Sequence, residues 1–400
     1  MKKLSLLSLL LALTISLTAC AGGELKVYNG FNKMQDITSI ETETEMNFTF
    51  KGEGFSEEEQ VVFDQMSAMF NDSSVKIHQK STQNKDKTVA KAEMNTDMNF
   101  GGMGMNTKVW VDVDMSKDEP KVVEIIKMPQ MLMASMATDG TPKEYVVYDI
   151  GDILNQEDTL NFTELVNFIK EFQPKLTEFM KSMEKDFKPS IELVKEKGKR
   201  EIDGKKLDIY ELKLNDDTLK ELVKYVVNYS LDSEVAVNFI KEYMNQVTKV
   251  ALANMPENER ADGEKEIKSV MEELEKKLPE FKTQFNKFME DYKDIKILGQ
   301  NGIKIEYGID NKGYIVHEKG NIDLRIDLEN ISKAIGEEEV KGIINLGINY
   351  NSKSYNINQD IKIEMPTLNK DNSINFMELM GNQMNQIQSL QPQSLQPQLP

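Results

Sequence analysis

Cysteine is almost absent from this 400-residue chain, since Cys20 is the only one. A single thiol cannot form an intramolecular disulfide, so the fold must be stabilised by its hydrophobic core. Histidine and tryptophan are also scarce, with two residues and one residue. Beyond Cys20, the sequence has no run approaching the roughly 20 apolar residues that a membrane-spanning helix needs. These shortages exclude a disulfide scaffold and a polytopic membrane protein.

The motifs of the common enzyme classes are missing as well. The chain has no Gly-x-Ser-x-Gly elbow, no His-Glu-x-x-His pair and no phosphate-binding glycine loop. His78 and His317 are far apart in strand-like stretches, which favours surface or edge histidines over a general base. Asp112–Asp118 superficially resembles a calcium loop, but Lys117 stands where that loop requires glycine. We therefore predict no catalytic residue, no metal site and no cofactor.

Positive charge is under-represented. The chain has 67 acidic and 49 basic residues, which gives a net charge of −18. A negative surface repels nucleic-acid phosphates, so we expect no nucleic-acid partner. The same surface repels anionic lipid head groups, so a basic patch cannot supply membrane attachment.

The N-terminus supplies an attachment of another kind. Two lysines precede an apolar run from Leu4 to Leu17, and the run closes on Leu17-Thr18-Ala19-Cys20. This order is typical of a secretory leader, which is removed from the mature protein. It resembles the lipobox of bacterial lipoproteins, whose cysteine is diacylated; the alternative is an ordinary leader. We predict a leader over 1–19, lipid attachment at Cys20, and a lipid-anchored location on the extracytoplasmic face of the cell membrane.

Alternation with period two dominates both ends of the chain. Strand patterns cover Met46–Phe50, Ala92–Phe100, Val109–Met115, Tyr145–Tyr148, Ile303–Ile309, Tyr314–Val316, Ile322–Leu328, Ile344–Tyr350 and Tyr355–Ile363. Turns are predicted at Asp203-Gly204 and at Asn351–Ser354. Ser56 and Glu59 form a capping-box pattern that predicts a helix to Phe70.

The middle of the chain has helical periodicity instead. Apolar residues at this spacing predict helices over 162–187 and a helical insert over 217–292. We predict a lipid-anchored linker over 20–37, one domain over 38–366, and a Gln/Pro-rich tail over 367–400 without regular structure. The apolar sheet face needs a cover, and the helices need a surface. The expected fold is therefore α+β: a curved antiparallel β-sheet, or half-barrel, packed against amphipathic helices.

Methionine is abundant, with 24 residues. Flexible thioether side chains suit the lining of an irregular apolar site. We therefore predict that a lipid or other apolar ligand binds between the sheet and the helices. The candidate contact residues are Met46, Phe48, Met94, Met98 and Phe100. Because thioethers also bind monovalent copper, Met98, Met103 and Met105 indicate an alternative, copper-handling function.

A lipobox followed by antiparallel strands, amphipathic helices and long alternating hairpins resembles the lipoprotein-carrier fold of the LolA and LppX type. Ile202–Leu212 is similar to a hairpin that is common in that family, and Ile303–Met365 resembles its closing half. The resemblance covers about Thr38 to Pro366 outside the helical insert. It implies a half-barrel whose cavity holds acyl chains or lipoproteins, and we predict no enzymatic activity. Because the insert departs from the family, a structural or interaction lipoprotein with a filled core stays open.

Overall fold

The computed structural model describes residues 23–117, 121–136, 142–149, 167–168, 171–172, 174–176, 178–179, 182, 191–335 and 340–381. The predicted leader, Cys20, most of the predicted helices over 162–187 and the end of the predicted tail lie outside the described residues. Those residues that are described between 167 and 182 are helical.

One twelve-stranded sheet forms the body of the described fold. Its strands are β1 (Ser39–Glu53), β2 (Ser74–Gln83), β3 (Val89–Phe100), β4 (Met103–Asp114), β5 (Lys121–Lys127), β6 (Tyr145–Asp149), β7 (Val194–Ile202), β8 (Lys205–Leu214), β9 (Leu298–Ile309), β10 (Ile315–Asp327), β11 (Ile343–Tyr355) and β12 (Ser373–Asn375). Their order is β12-β6-β5-β4-β3-β2-β1-β11-β10-β9-β8-β7, and only β12 and β6 pair in parallel. The predicted α+β class with a curved, mostly antiparallel sheet is confirmed.

Seven helices that begin and end among the described residues accompany the sheet, and residues 376–381 are helical as well. They are α1 (Gly23–Gln35), α2 (Glu57–Asn71), α3 (Gln130–Met136), α4 (Asp216–Asp232), α5 (Glu234–Ala253), α6 (Glu257–Asp291) and α7 (Leu328–Ile335). Helices α4, α5 and α6 stand between β8 and β9, which are neighbours in the sheet. The helices predicted over 217–292 are confirmed, and they form a long connection between two adjacent strands. No helix among the described residues is long and apolar enough to cross a bilayer.

Local signals in the sequence fix two of these elements. Asp203 and Gly204 both have positive φ angles, of 49° and 73°, and they form the two-residue turn between β7 and β8. Such a turn matches the twist of the strands that it joins. At the start of α2, the Ser56 hydroxyl accepts from the Glu59 N–H, and the Glu59 carboxylate accepts from the Ser56 N–H. The predicted hairpin and capping box are both confirmed.

Two predicted strand boundaries are wrong. β10 runs without interruption from Ile315 to Asp327, where two strands were expected, and β11 continues through the predicted turn at Asn351–Ser354. Asn351 lies opposite Glu45 of β1 and Lys319 of β10. Strand pairing on both sides outweighs the turn preference of these polar residues. The predicted returning strand over Tyr355–Ile363 does not form, and the next described strand after β11 is β12. Because β12 pairs with β6, the prediction that the tail over 367–400 lacks regular structure is wrong in its described part.

The predicted linker over 20–37 is also wrong in its described part, because Gly23–Gln35 forms helix α1. Val27 and Tyr28 are buried, and Val27 belongs to the largest core cluster. Gly30 indicates flexibility when the sequence is taken alone, but here it permits close packing. A Cβ atom on Gly30 would lie 2.8 Å from the side chain of Ile315 in β10. The glycine therefore lets the helix approach the sheet.

The largest core cluster lies between strands β7–β10 and helices α1, α4 and α5. Its buried members are Val27, Phe179, Leu193, Val194, Tyr210, Leu212, Leu214, Leu222, Val226, Ala236, Tyr307, Ile309 and Ile315. At β10, a register shift between Ile315 and His317 turns Ile315 towards this cluster, while Val316 packs on the other side with Leu207 and Ile209. This end of the sheet thus has buried apolar side chains on both faces.

Candidate functional site

One face of the sheet carries a row of apolar residues that crosses eight neighbouring strands. Directly paired residues of neighbouring strands point to the same face of a sheet. Met46 of β1 lies opposite Val75 of β2 and Tyr350 of β11, and Val75 in turn lies opposite Met98 of β3. The complete row, which we call the apolar row, is Leu212, Ile305, Gly320, Tyr350, Met46, Val75, Met98 and Met105. We call the face that carries it the apolar face.

All five predicted contact residues lie on the apolar face. Met46 and Met98 belong to the apolar row, and Phe48 lies two positions further along β1, opposite Ile348. Phe100 pairs with Met103 near the hairpin tip, and Met94 pairs with Val109 further along β3. Each of the five side chains is half-buried. The structure therefore brings the five residues onto one surface, although they come from two strands that are not neighbours.

Helices cover the two ends of this face. Helix α1 and the helices after β8 lie over the β7–β9 end, in the core cluster described above. At the end of β1, the Phe63 ring of α2 stacks on Phe50 and Phe55, with ring centroids 5.8 Å and 3.9 Å apart. Gly52 makes room for it, because a Cβ there would lie 2.6 Å from the Phe63 ring. Between these two covers lie the half-buried Met46 and Met98.

A cavity of about 330 Å³ opens beside the C-terminal end of α1. Its apolar lining comes from Met34, Ile37, Ala90, Ala92 and Val111. This volume is at the lower end of the range of small-molecule sites. None of the five predicted contact residues lines this cavity, so it extends the apolar face beyond the surface that the sequence predicts.

A row of polar side chains crosses the apolar face next to the apolar row. Its members, in strand order from β8 to β4, are Tyr210, Tyr307, Glu318, Ser352, Thr44, Ile77, Thr96 and Thr107, with Ile77 as the one apolar member. We call it the polar row. The hydroxyl oxygens of Thr44 and Ser352 are 2.8 Å apart and share a hydrogen bond. The sequence alone does not indicate this row, although each member occupies an inward position of its strand.

Glu318 is the one carboxylate in the polar row. The Tyr350 hydroxyl donates a hydrogen bond to its Oε1 atom. Burial raises the pKa of Glu318 above its ordinary value, and the hydrogen bond from Tyr350 opposes that rise. Burial and the nearby Glu318 carboxylate raise the pKa of both Tyr307 and Tyr350, so these phenols stay protonated. Among the described side chains, no cation lies within 4.0 Å of the Glu318 carboxylate.

The position of Glu318 has a thermodynamic cost. A carboxyl whose pKa is raised by folding holds its proton more tightly in the folded than in the unfolded protein. As the pH rises above the ordinary value of 4.5, ionisation of Glu318 therefore lowers the free energy of unfolding. A partly buried carboxylate that pairs with no cation does not stabilise the folded protein, and such groups are common in binding sites.

The two histidines lie on the opposite face, in one row. His78 lies opposite Glu43, Glu43 opposite Lys353, and Lys353 opposite His317. Three strand spacings separate the imidazoles by about 14 Å, which is too far for one to act directly on the other. His317 is only 8% exposed, and burial lowers its pKa. The predicted surface or edge position is wrong for His317, because β10 is a central strand.

The three methionines that indicate the copper-handling alternative lie close together on the paired strands β3 and β4. Met98 and Met105 are direct cross-strand partners, and Met103 lies two residues before Met105 on the same face. Among the described residues, no cluster of three or more histidine, cysteine, aspartate or glutamate side chains is arranged to hold a metal ion.

No protein family matches this chain, and no curated protein is similar to it beyond the level of chance. The candidate site is therefore defined by the arrangement of side chains on the apolar face.

Proposed function

We propose that this protein is a membrane-anchored extracytoplasmic lipoprotein without enzymatic activity, which binds a lipid or another apolar ligand between its sheet and helices. The observation that supports this function is the half-buried apolar face on which Met46, Phe48, Met94, Met98 and Phe100 lie together. We further infer that the curved sheet serves as a half-barrel of the lipoprotein-carrier type, closed by its amphipathic helices.

The physical case depends on incomplete burial. Apolar side chains that stay half-buried across several neighbouring strands form a contiguous surface, and such surfaces mark binding sites more often than isolated exposed residues do. Met46, Met98 and Met105 supply three flexible thioethers in one row. Flexible side chains can repack around ligands of irregular shape, which suits acyl chains.

The proposed anchor is tested by replacing Cys20 with serine. We expect the variant to incorporate no radiolabelled palmitate and to move from the membrane fraction to the soluble fraction, because the acylated thiol is the proposed attachment. Replacement of Ser16, which lies in the apolar run of the leader, is the matched control and should leave labelling unchanged. Continued labelling of the Cys20→Ser variant would contradict the anchor.

The proposed ligand site is tested by placing two aspartates on the apolar face. Native mass spectrometry of the soluble form that starts at Ala21, after gentle purification from a bacterial host, should reveal an added mass that organic extraction removes. We expect Met94→Asp with Met98→Asp to abolish this retention, because a carboxylate cannot be desolvated against an acyl chain without a large cost. The helices should keep their circular dichroism signal.

The matched control places the same charges on the other face of the same strand. Asn95→Asp with Asn99→Asp should retain the added mass, since these positions alternate with Met94 and Met98. A bare polypeptide mass for the unchanged protein, even after incubation with lipids, would favour the filled-core, structural or interaction lipoprotein. An added mass of one copper ion would favour the copper-handling alternative.

A further inference from the structure

We propose that the polar row receives the head group of an amphiphilic ligand, and that Glu318 makes this site select a cationic head group. The inference rests on the proposed function, because it specifies the ligand chemistry at the same face. A primary ammonium on an alkyl or acyl chain is the class of ligand that fits.

The two rows provide surfaces for the two parts of an amphiphile. Along each strand, a member of the polar row lies two residues from a member of the apolar row, as Thr44 does from Met46 and Thr96 from Met98. Two residues of a strand span about 6.8 Å. An alkyl chain that lies over the methionines therefore brings its head group within one such step of the hydroxyls.

Glu318 is the one charged member of the polar row, so the charge of this row is negative. The Glu318 carboxylate receives one described hydrogen bond, on Oε1 from Tyr350, and no described cation lies within 4.0 Å of it. An ammonium group carries three donors and no acceptor, so it can pair with the carboxylate and donate to the neighbouring Ser352 hydroxyl. The pair would remove the cost of an isolated charge in a partly dehydrated place. An anionic head group would meet a like charge there.

The experiment compares three amphiphiles that differ only in the head group. The mature chain from Cys20 to Pro400 carries Cys20→Ser, and dodecylammonium, dodecyl maltoside or dodecyl sulfate displaces a fluorescent apolar probe below the micellar concentration. We expect dodecylammonium to bind about tenfold more tightly than dodecyl maltoside, the factor that a charge-assisted hydrogen bond supplies, and dodecyl sulfate to bind most weakly. Glu318→Gln should remove the preference for the ammonium.

A matched control comes from the opposite face. The Tyr355 hydroxyl donates to Glu43 Oε1 at 2.9 Å, so Glu43→Gln removes an equivalent carboxylate from the other side of the sheet and should leave the preference unchanged. Tyr350→Phe removes the phenol but keeps the Glu318 charge, so this second variant should keep the preference even if Glu318→Gln folds poorly.

The outcomes separate the two proposals. Equal binding of the three amphiphiles, unchanged by Glu318→Gln, would overturn the head-group inference and leave the apolar-ligand function in place. Failure of all three to displace the probe, together with a bare mass in native mass spectrometry, would overturn the proposed function itself and with it the head-group inference.

Discussion

Replacing Glu24 with alanine should lower the free energy of unfolding by about 2–4 kcal/mol. Glu24 is 4% exposed, and its carboxylate Oε1 atom accepts hydrogen bonds from the backbone N–H groups of Leu193 at 2.7 Å and Val194 at 2.8 Å. Without it, two buried donors lose their acceptor at the start of edge strand β7. A buried donor that is left unpaired costs roughly 1–3 kcal/mol. Urea denaturation followed by circular dichroism measures the change.

Glu24→Gln is the informative companion variant. Both N–H groups donate to Oε1, and a glutamine keeps an acceptor oxygen in that position. We expect Glu24→Gln to lose less stability than Glu24→Ala, because the acceptor oxygen stays and only its negative charge is lost. Lys26→Ala, on the exposed side of α1, should be close to neutral. If Glu24→Ala unfolded at the same urea concentration as the unchanged protein, the role assigned to this carboxylate would be wrong.

Gly320→Ala should destabilise the protein by about 2–4 kcal/mol, for a different reason. The Tyr350 ring lies over Gly320, and a Cβ atom at this position would come within 2.0 Å of the ring. The ring must therefore move, which overpacks the apolar face and breaks the hydrogen bond from Tyr350 to Glu318. Thermal or urea unfolding of the purified variant measures the loss.

Gly104 of β4 provides the control for this prediction. A Cβ on Gly104 meets nothing within 4 Å, so Gly104→Ala should be neutral or stabilising by up to about 1 kcal/mol. A cycle with Tyr350→Ala tests the contact directly. Once the ring is removed, Gly320→Ala should cost far less than it does alone, because the two positions are coupled. Strictly additive free energies would show that the ring does not set the requirement for glycine at 320.

The sequence predicts the strands where apolar alternation is undisturbed. The prediction fails where polar residues that are typical of turns lie within a strand. Met46–Phe50 and Ala92–Phe100 predict β1 and β3 correctly, because each has one apolar side. Asn351–Ser354 is typical of a turn, but pairing with strands on both sides holds it within β11. Which preference wins depends on neighbours that are distant in the chain, and one sequence does not contain their register.

The candidate site follows the same division. Alternation alone places Met46 and Met98 on inward positions, and the structure puts both in one row. The polar row could not be predicted, because Thr44, Glu318 and Ser352 become neighbours only through the pairing of β1, β11 and β10. The acylation of Cys20 is predicted from a local motif. Because Cys20 lies outside the described residues, this acylation stays a prediction.

If Cys20 is acylated as proposed, helix α1 limits how far the folded body can lie from the bilayer. Its first residue, Gly23, follows Cys20 by three positions, and three residues of fully extended chain span at most about 10 Å. With Cys20 acylated, the sheet cannot swing freely at the end of a long tether, as the expected linker over 20–37 would have allowed. In the proposed anchored state the body would stand beside the lipid surface, where an acyl chain could move from the membrane to the protein across a short gap.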